Sequence, residues 1–396
     1  MARINIVVPR LQKSVFSGGL WCILEYAQGL TARGHQVTLL PMAPSVYPEW
    51  FPHPVGTIIT GPLSVASLKT VLNNFFGLAR SIGSSEAVKR KAIRNTFSQL
   101  SLLRPGLFIE PIRWGIAESY VHSIAPEADI TLATSFETAR PAYLLTGKKF
   151  YFPQHYEVYF SDGFDSPIHA EALARQSYNL RFRMIANSTW LKNQLLSEAD
   201  IDSVDLCVNA IDHKVFYGDP KNSAPSNRVI VISYGGRQAD WKGFREMAQA
   251  VAIARRTLAD VEIEWRVYGD ALVAPGQITP YIPLGFLPPS KLSEQYRQAD
   301  ILLSASWYES FPLFPIEAMA CGLPVITTQP GTEDYAVHGE TAEVVQARDP
   351  QSIADGLVKL VTDNEYRFRI AQAGNEKVRE FTWARSVGRL ESILLG

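Results

Sequence analysis

The chain has 396 residues, 46 % hydrophobic and 19 % charged, with 38 Lys and Arg against 39 Asp and Glu for a formal net charge of -1. That length exceeds one ordinary hydrophobic core and makes two domains the default, while the balanced charge lacks the basic excess of a nucleic-acid binder. Cys22, Cys207 and Cys321 form neither a CxxC pair nor a zinc spacing, and no run reaches the ~20 apolar residues of a spanning helix, so a cytoplasmic protein without disulfides is expected.

Residues 4–9, INIVVP, read as a buried strand because the run is short and β-branched. A turn at Ser17, Gly18 and Gly19 enters a helix in which Leu20, Ile23, Leu24, Ala27 and Leu30 recur at helical spacing, with Gly34 placed to stop it. Residues 35–41 return to strand and complete a right-handed crossover unit. Residues 60–125 are helical material with Lys89, Arg90, Lys91 and Arg94 and breaks at Pro105 and Pro111. Strands follow at 128–135, 148–154 and 183–188, and the main domain boundary is expected near residue 190.

The second half repeats the rhythm. A strand at 227–236 meets a glycine turn, a helix spans 244–257, and strands are expected at 261–269, 299–306 and 324–328. Between the last two, a proline-broken loop enters a short helix that Gly322 ends. Asp349 caps a helix over 349–363, and one or two helices close the chain. Two successive α/β halves predict two Rossmann-like domains rather than a barrel, with the C-terminal ends of their strands facing across a shared cleft.

Candidate chemistry gathers at a few places. Gly235 and Gly236 allow a tight turn and close ligand approach, and Arg237 and Lys242 follow. The natural targets of such cations are diphosphate oxygens, Arg through its fork and Lys as a point charge; the alternative is a loop that faces water. Glu309 and Glu317 bracket a loop and a helix start. Glu317, placed on the first helical turn, either accepts paired hydroxyls, as from a ribose, or simply complements the helix N-terminus. His155, two residues before Glu157, suits a hydrogen bond to a sugar hydroxyl or proton movement, or is a satisfied edge histidine. Asp162 and Asp165 read as a solvated turn rather than a metal pair, and no Asp-x-Asp stands at a strand end, so metal-independent chemistry is expected. A Gly-x-Ser-x-Gly elbow, a Walker loop and a three-glycine dinucleotide fingerprint are all missing, which removes the strongest marks of hydrolases, nucleoside triphosphatases and dehydrogenases.

Glu309 through Glu317, continued by EAMACGLPVITT, resembles the E-x7-E signature of retaining GT-B glycosyltransferases, most closely family 4 (glycosyl transferases group 1). The SGG turn at 17–19, RGH at 33–35, ANS at 186–188, NAIDHKVF at 209–216 and FTWARSV in the tail fall in the order of that family. The resemblance implies a GT-B fold: an acceptor-side domain at 1–190, a nucleotide-sugar-binding domain at 191–375, and a terminal helix, 376–396, crossing back to the first domain. It implies hexose or deoxyhexose transfer from a UDP-, GDP- or dTDP-linked donor, without a further cofactor, to a glycan, lipid-linked or small-molecule hydroxyl, with anomeric configuration retained.

The same resemblance gives Glu317 the nucleotide ribose and Glu309 the donor-sugar hydroxyls. Arg237 and Lys242, with the amides around Phe311 and Leu313, receive the leaving diphosphate. His155 comes to the donor sugar, Gly18 and Gly19 to the reacting centre, and Gly236 to the phosphate turn. Ser310, Pro312 and Phe314 depart from the usual glycine-rich loop. With YFPQHYEVYF they resemble a bacterial rhamnosyltransferase-like branch that uses a deoxysugar on thymidine diphosphate. Phe75, Phe76, Phe108, Ile109 and Trp114 mark either an acceptor groove, a patch touching lipid phosphates at the inner membrane face, or ordinary domain helices. Two other readings stay open: a GT-B enzyme of another reaction type, such as a phosphorylase or epimerase, and a non-catalytic subunit that binds nucleotide sugars.

Overall fold

The computed structural model describes residues 1–14, 16–53, 55–59, 110–163, 167–199, 201–222, 227–236, 239–269 and 279–396. The chain divides into two units. Unit 1 comprises Met1–Asn187, Leu191–Cys207 and Val387–Gly396; unit 2 comprises Ser188–Trp190 and Val208–Ser386.

Unit 1 is built on a parallel sheet in the order β3-β2-β1-β4-β5-β6-β7. Its strands are β1 (Arg3–Val8), β2 (Gln36–Pro41), β3 (Thr57–Ile58), β4 (Ile130–Ala133), β5 (Lys148–Tyr151), β6 (Arg183–Ala186) and β7 (Val204–Leu206). The central strands are apolar and β-branched because both faces are covered: five of the six β1 residues and all four of β4 are buried. The glycine turn expected after β1 opens the helix Gly18–Ala32, and Gly34 ends it with φ 88°. β7 pairs with β6 and completes this sheet, so the main boundary lies at Cys207–Val208 and not near residue 190. The final segment that packs with unit 1 begins at Val387, later than the expected 376.

Unit 2 carries a second parallel sheet, β10-β9-β8-β11-β12-β13. Its strands are β8 (Arg228–Tyr234), β9 (Glu262–Tyr268), β10 (Ile282–Gly285), β11 (Ile301–Leu303), β12 (Val325–Thr328) and β13 (Glu343–Val345). Alternation along β8 sorts its side chains to two faces. Val229 and Val231 pack with Met247, Val251 and Ala254 of the helix Phe244–Thr257 and with Ile353 and Leu357 of the helix Pro350–Thr362. Ile232 packs on the other face with Tyr296, Ile316, Met319 and Phe381. Asp349 caps the helix Pro350–Thr362 as expected, accepting from the Gln351 and Ser352 amides. Among the described residues, no helix is long and apolar enough to cross a membrane.

Candidate active site

The turn after β8 is forced into place by its glycines. The Gly235 amide donates to the Tyr268 carbonyl at 3.0 Å, and a Cβ on Gly235 would lie 2.5 Å from Val267. Beyond it Asp240–Lys242 form a short 3-10 turn, and the chain enters the helix Phe244–Thr257 through Gly243 at φ 69°. A Cβ on Gly243 would stand 2.0 Å from the Ala305 carbonyl oxygen, so only glycine lets this turn press against the segment leaving β11.

That close approach joins two of the residues expected at the site. Lys242 Nζ donates to Glu309 Oε1, with the two side chains 14 % and 5 % exposed, and Ser306 Oγ donates to the same oxygen at 3.2 Å. The ammonium also lies 4.1 Å over the Trp241 ring and 5.2 Å from the Phe314 ring centroid. A lysine and a glutamate taken this far out of water stabilise the fold only as a pair.

Glu317 lies on the helix Leu313–Ala320, but beyond its first turn, which contains no acidic residue. The reading of Glu317 as a simple N-terminal helix charge is thereby lost. Its side chain is partly buried, and desolvation alone raises the carboxyl pKa to about 8. Among the described residues nothing donates a hydrogen bond to it. Tyr335, whose hydroxyl donates to the Pro312 carbonyl at 2.9 Å, is pushed well above the usual phenol range by burial first and then by Glu309 and other acids including Glu317.

Phe311 turns its ring into the core against Tyr335 and Phe381, and Leu313 packs on the same cluster, so neither side chain is a ligand group. Among the described residues no acceptor takes the Phe311 or Leu313 amide. Gly236 lies against Gly269, where a Cβ would meet it at 2.8 Å. Arg237 lies outside the described residues, as do Asp165, Phe75, Phe76, Phe108 and Ile109.

The other expected residues belong to unit 1. Gly18 and Gly19 open the first helix, and a Cβ on Gly19 would approach Gln154 Cβ to 2.9 Å. His155 follows Gln154 and sets its ring 4.4 Å from Phe160. Glu157 accepts from the Phe136 amide at 3.0 Å and from the Tyr151 hydroxyl; burial raises its pKa to about 8 against those two bonds.

Sequence reasoning missed Trp241, Glu246, Ser306 and Trp307. Trp307 donates its amide to the Trp241 carbonyl at 2.7 Å and its indole N–H to Glu246 Oε1 at 3.1 Å. The one available signal was the aromatic crowding beside Lys242 and Glu309, at Trp241 and at Trp307-Tyr308. Among the described residues no three His, Cys, Asp or Glu side chains converge as metal ligands do.

Residues 219–377 match the family model for glycosyl transferases group 1. A D-inositol 3-phosphate glycosyltransferase of Corynebacterium diphtheriae is 30% identical over 234 residues, 53% of this chain and 55% of that protein. The chain thus spans about half the length of that relative. The O-antigen biosynthesis protein RfbC of Myxococcus xanthus is 28% identical over 284 residues, 69% of this chain and 21% of its own length. Among solved structures, sucrose-phosphate synthase from Thermosynechococcus elongatus aligns with a TM-score of 0.69 at 14% identity, covering 99% of this chain and 98% of that one. Anabaena Alr3699/HepE in complex with UDP and glucose aligns at 0.68 and 15% identity, covering 100% of both. The fold, two α/β units on parallel sheets of seven and six strands, is that of GT-B glycosyltransferases.

Proposed function

We propose that the chain is a retaining glycosyltransferase that moves a hexose or deoxyhexose from a nucleotide-diphosphate donor to a hydroxyl of a glycan, lipid-linked or small-molecule acceptor. One observation carries this reading. A buried Lys242–Glu309 pair and a desolvated Glu317, to which no described residue donates a hydrogen bond, both lie in the segment that matches the group 1 family model. In an open parallel sheet such groups, beyond the strand ends, meet the ligand.

In this reading Glu317 accepts the ribose hydroxyls, which supply the donors its carboxyl lacks. Glu309 accepts from donor-sugar hydroxyls. Lys242 and Arg237, with the Phe311 and Leu313 amides, take the negative charge that builds on the departing diphosphate, a preplaced electrostatic contribution worth several kcal/mol in comparable sites, roughly 3 per donor. The family resemblance assigns His155, Gly18 and Gly19 to the donor sugar, and Gly236 keeps the phosphate turn open. No protein nucleophile is needed when the leaving phosphate accepts the acceptor proton, unlike the carboxylate pair of retaining glycosidases. The donor carries the chemistry, so no further cofactor or metal is invoked.

UDP and glucose in the HepE structure make UDP-glucose the first donor to try, followed by GDP- and dTDP-sugars. The test is donor hydrolysis without acceptor, measured as nucleoside diphosphate release with and without EDTA. Release from one donor class, unaffected by EDTA, is expected; silence across the panel, with no donor binding by calorimetry, would end the proposal. Glu317 adds a sharper check. At pH 7 a carboxyl with a pKa of about 8 is mostly protonated, and ribose donors stabilise its ionised form. Binding of the cognate nucleoside diphosphate should therefore release a proton, seen as a buffer-dependent heat, and Glu317→Gln should abolish that release.

A further inference from the structure

We propose that Trp307 is the positioning residue of this site: its two N–H groups, bonded to the Trp241 carbonyl and to Glu246, fix where the Lys242 ammonium lies relative to Glu309. Its catalytic consequence rests on the function proposed above; its geometric core does not.

Lys242 and Glu309 sit on different segments, the turn after β8 and the loop after β11. A lysine stem has many rotamers, and confining one costs side-chain entropy, so the pair needs its two backbones held in register. Trp307 supplies that register. Its amide bonds the carbonyl of Trp241, the residue before Lys242, at 2.7 Å, while Trp307 itself stands two residues before Glu309.

The indole gives the tie its direction. Nε1 donates to Glu246 Oε1 at 3.1 Å, and Glu246 stands in the first turn of the helix Phe244–Thr257, where the helix amides favour its charge. The second oxygen of Glu246 is buried with no hydrogen-bond partner among the described residues. The indole N–H is thus its only side-chain donor among the described residues, and losing it would strand the carboxylate. On the ring, Arg348 sets its guanidinium 4.0 Å from the Trp307 centroid. Arg348 holds φ 62°, the only positive φ outside glycine among the described residues. A backbone cost of that kind persists only where surrounding contacts hold it, and the cation–π contact is one of them.

The experiment compares Trp307→Phe, Glu246→Ala and Glu246→Gln with the parent protein by two readouts. The first is acetylation of Lys242 by a succinimidyl ester, followed by peptide mass spectrometry. The second is steady-state kinetics on the best donor, with circular dichroism melting to check folding. Trp307→Phe keeps a ring under Arg348 and the backbone amide to Trp241, and removes the indole N–H together with part of the ring. Trp307→Phe and Glu246→Ala should both label Lys242 several-fold faster. They should lower kcat roughly ten- to hundredfold with donor KM within about threefold, as expected of a misplaced group rather than a lost ligand. Glu246→Gln, which keeps an acceptor for the indole, should recover part of both effects.

Unchanged Lys242 labelling in folded Trp307→Phe and Glu246→Ala would overturn the proposal whatever turnover does. Faster labelling in the variants, together with a parent protein that turns over no nucleotide sugar, would leave the positioning role standing and defeat the proposed function alone.

Discussion

Lys242 and Glu309 are worth more to each other than either is to the fold. Replacing Lys242 by Met keeps the apolar stem over Trp241 but strands a carboxylate that is 5 % exposed, which should cost about 3 kcal/mol of stability. Adding Glu309→Gln should return much of that loss, so a double-mutant cycle by urea denaturation should give a large favourable coupling. Additive effects would show the pair to be independent. Glu317 makes a different prediction. Its folded pKa of about 8 lies above the ordinary 4.5, so the folded state holds the proton more tightly. Its contribution to stability is full below pH 4.5 and is lost as the pH rises through 8. Glu157 acts in the same direction. Glu317→Gln should therefore reduce the fall in unfolding free energy between pH 5 and 8 without removing it; an unaltered slope would mean that the carboxyl titrates normally.

Among elements, the turn after β8 is the one on which the site depends. Gly243→Ala puts a methyl group 2.0 Å from the Ala305 carbonyl at a backbone angle that alanine disfavours. Forcing the left-handed conformation alone costs on the order of 1–3 kcal/mol, and the clash adds to it. A lower unfolding midpoint, with turnover lost beyond what the stability change explains, is the expected result; a variant that melts and turns over like the parent would show that the turn gives way elsewhere. This element was legible in outline. The β-rich run, the double glycine and the amphipathic stretch after it are local patterns, and they gave strand, turn and helix directly. Less could be read where the signal is not local. β7 and β13 have three residues each and β10 four, too few for periodicity to separate them from loop. β7 joins the first sheet through pairing alone, which is why the boundary near residue 190 fell short of Cys207. The E-x7-E spacing identified Glu309 and Glu317, but not which turn of the helix holds Glu317, because Pro312 and Pro315 leave the helix start ambiguous. Trp307 carries no motif, since its hydrogen-bond partners are sixty or more residues away in sequence and only the fold brings them together.

At the scale of the molecule, the last segment is the informative one. Residues of the helix Trp383–Leu395 are shared between the units, with Val387–Gly396 packing in unit 1. Glu391 accepts from Arg33 and pairs with His35 Nε2 at 2.9 Å, Arg389 donates to the Leu206 carbonyl, and Leu390, Ile393 and Leu394 are no more than 1 % exposed. Burial of each such side chain is worth roughly 1.5–3 kcal/mol. Ending the chain after Ser386 should therefore destabilise unit 1 far more than unit 2. Hydrogen exchange should report this as lost protection in β1 and in the helix Gly18–Ala32, with β8 and β9 nearly unaffected; equal loss in both units would show that the segment serves the whole chain instead.

That shared segment also sets a schedule for biosynthesis. A ribosome emits the seven strands of the first sheet early, yet the residues that pack against Gly29 and Arg33 emerge only after all of unit 2 has been made. The nascent N-terminal half must wait, incomplete and with apolar surface uncovered, until the tail arrives. A chaperone that recognises exposed leucine-rich surface should have its longest contact with the part of this protein that is translated first.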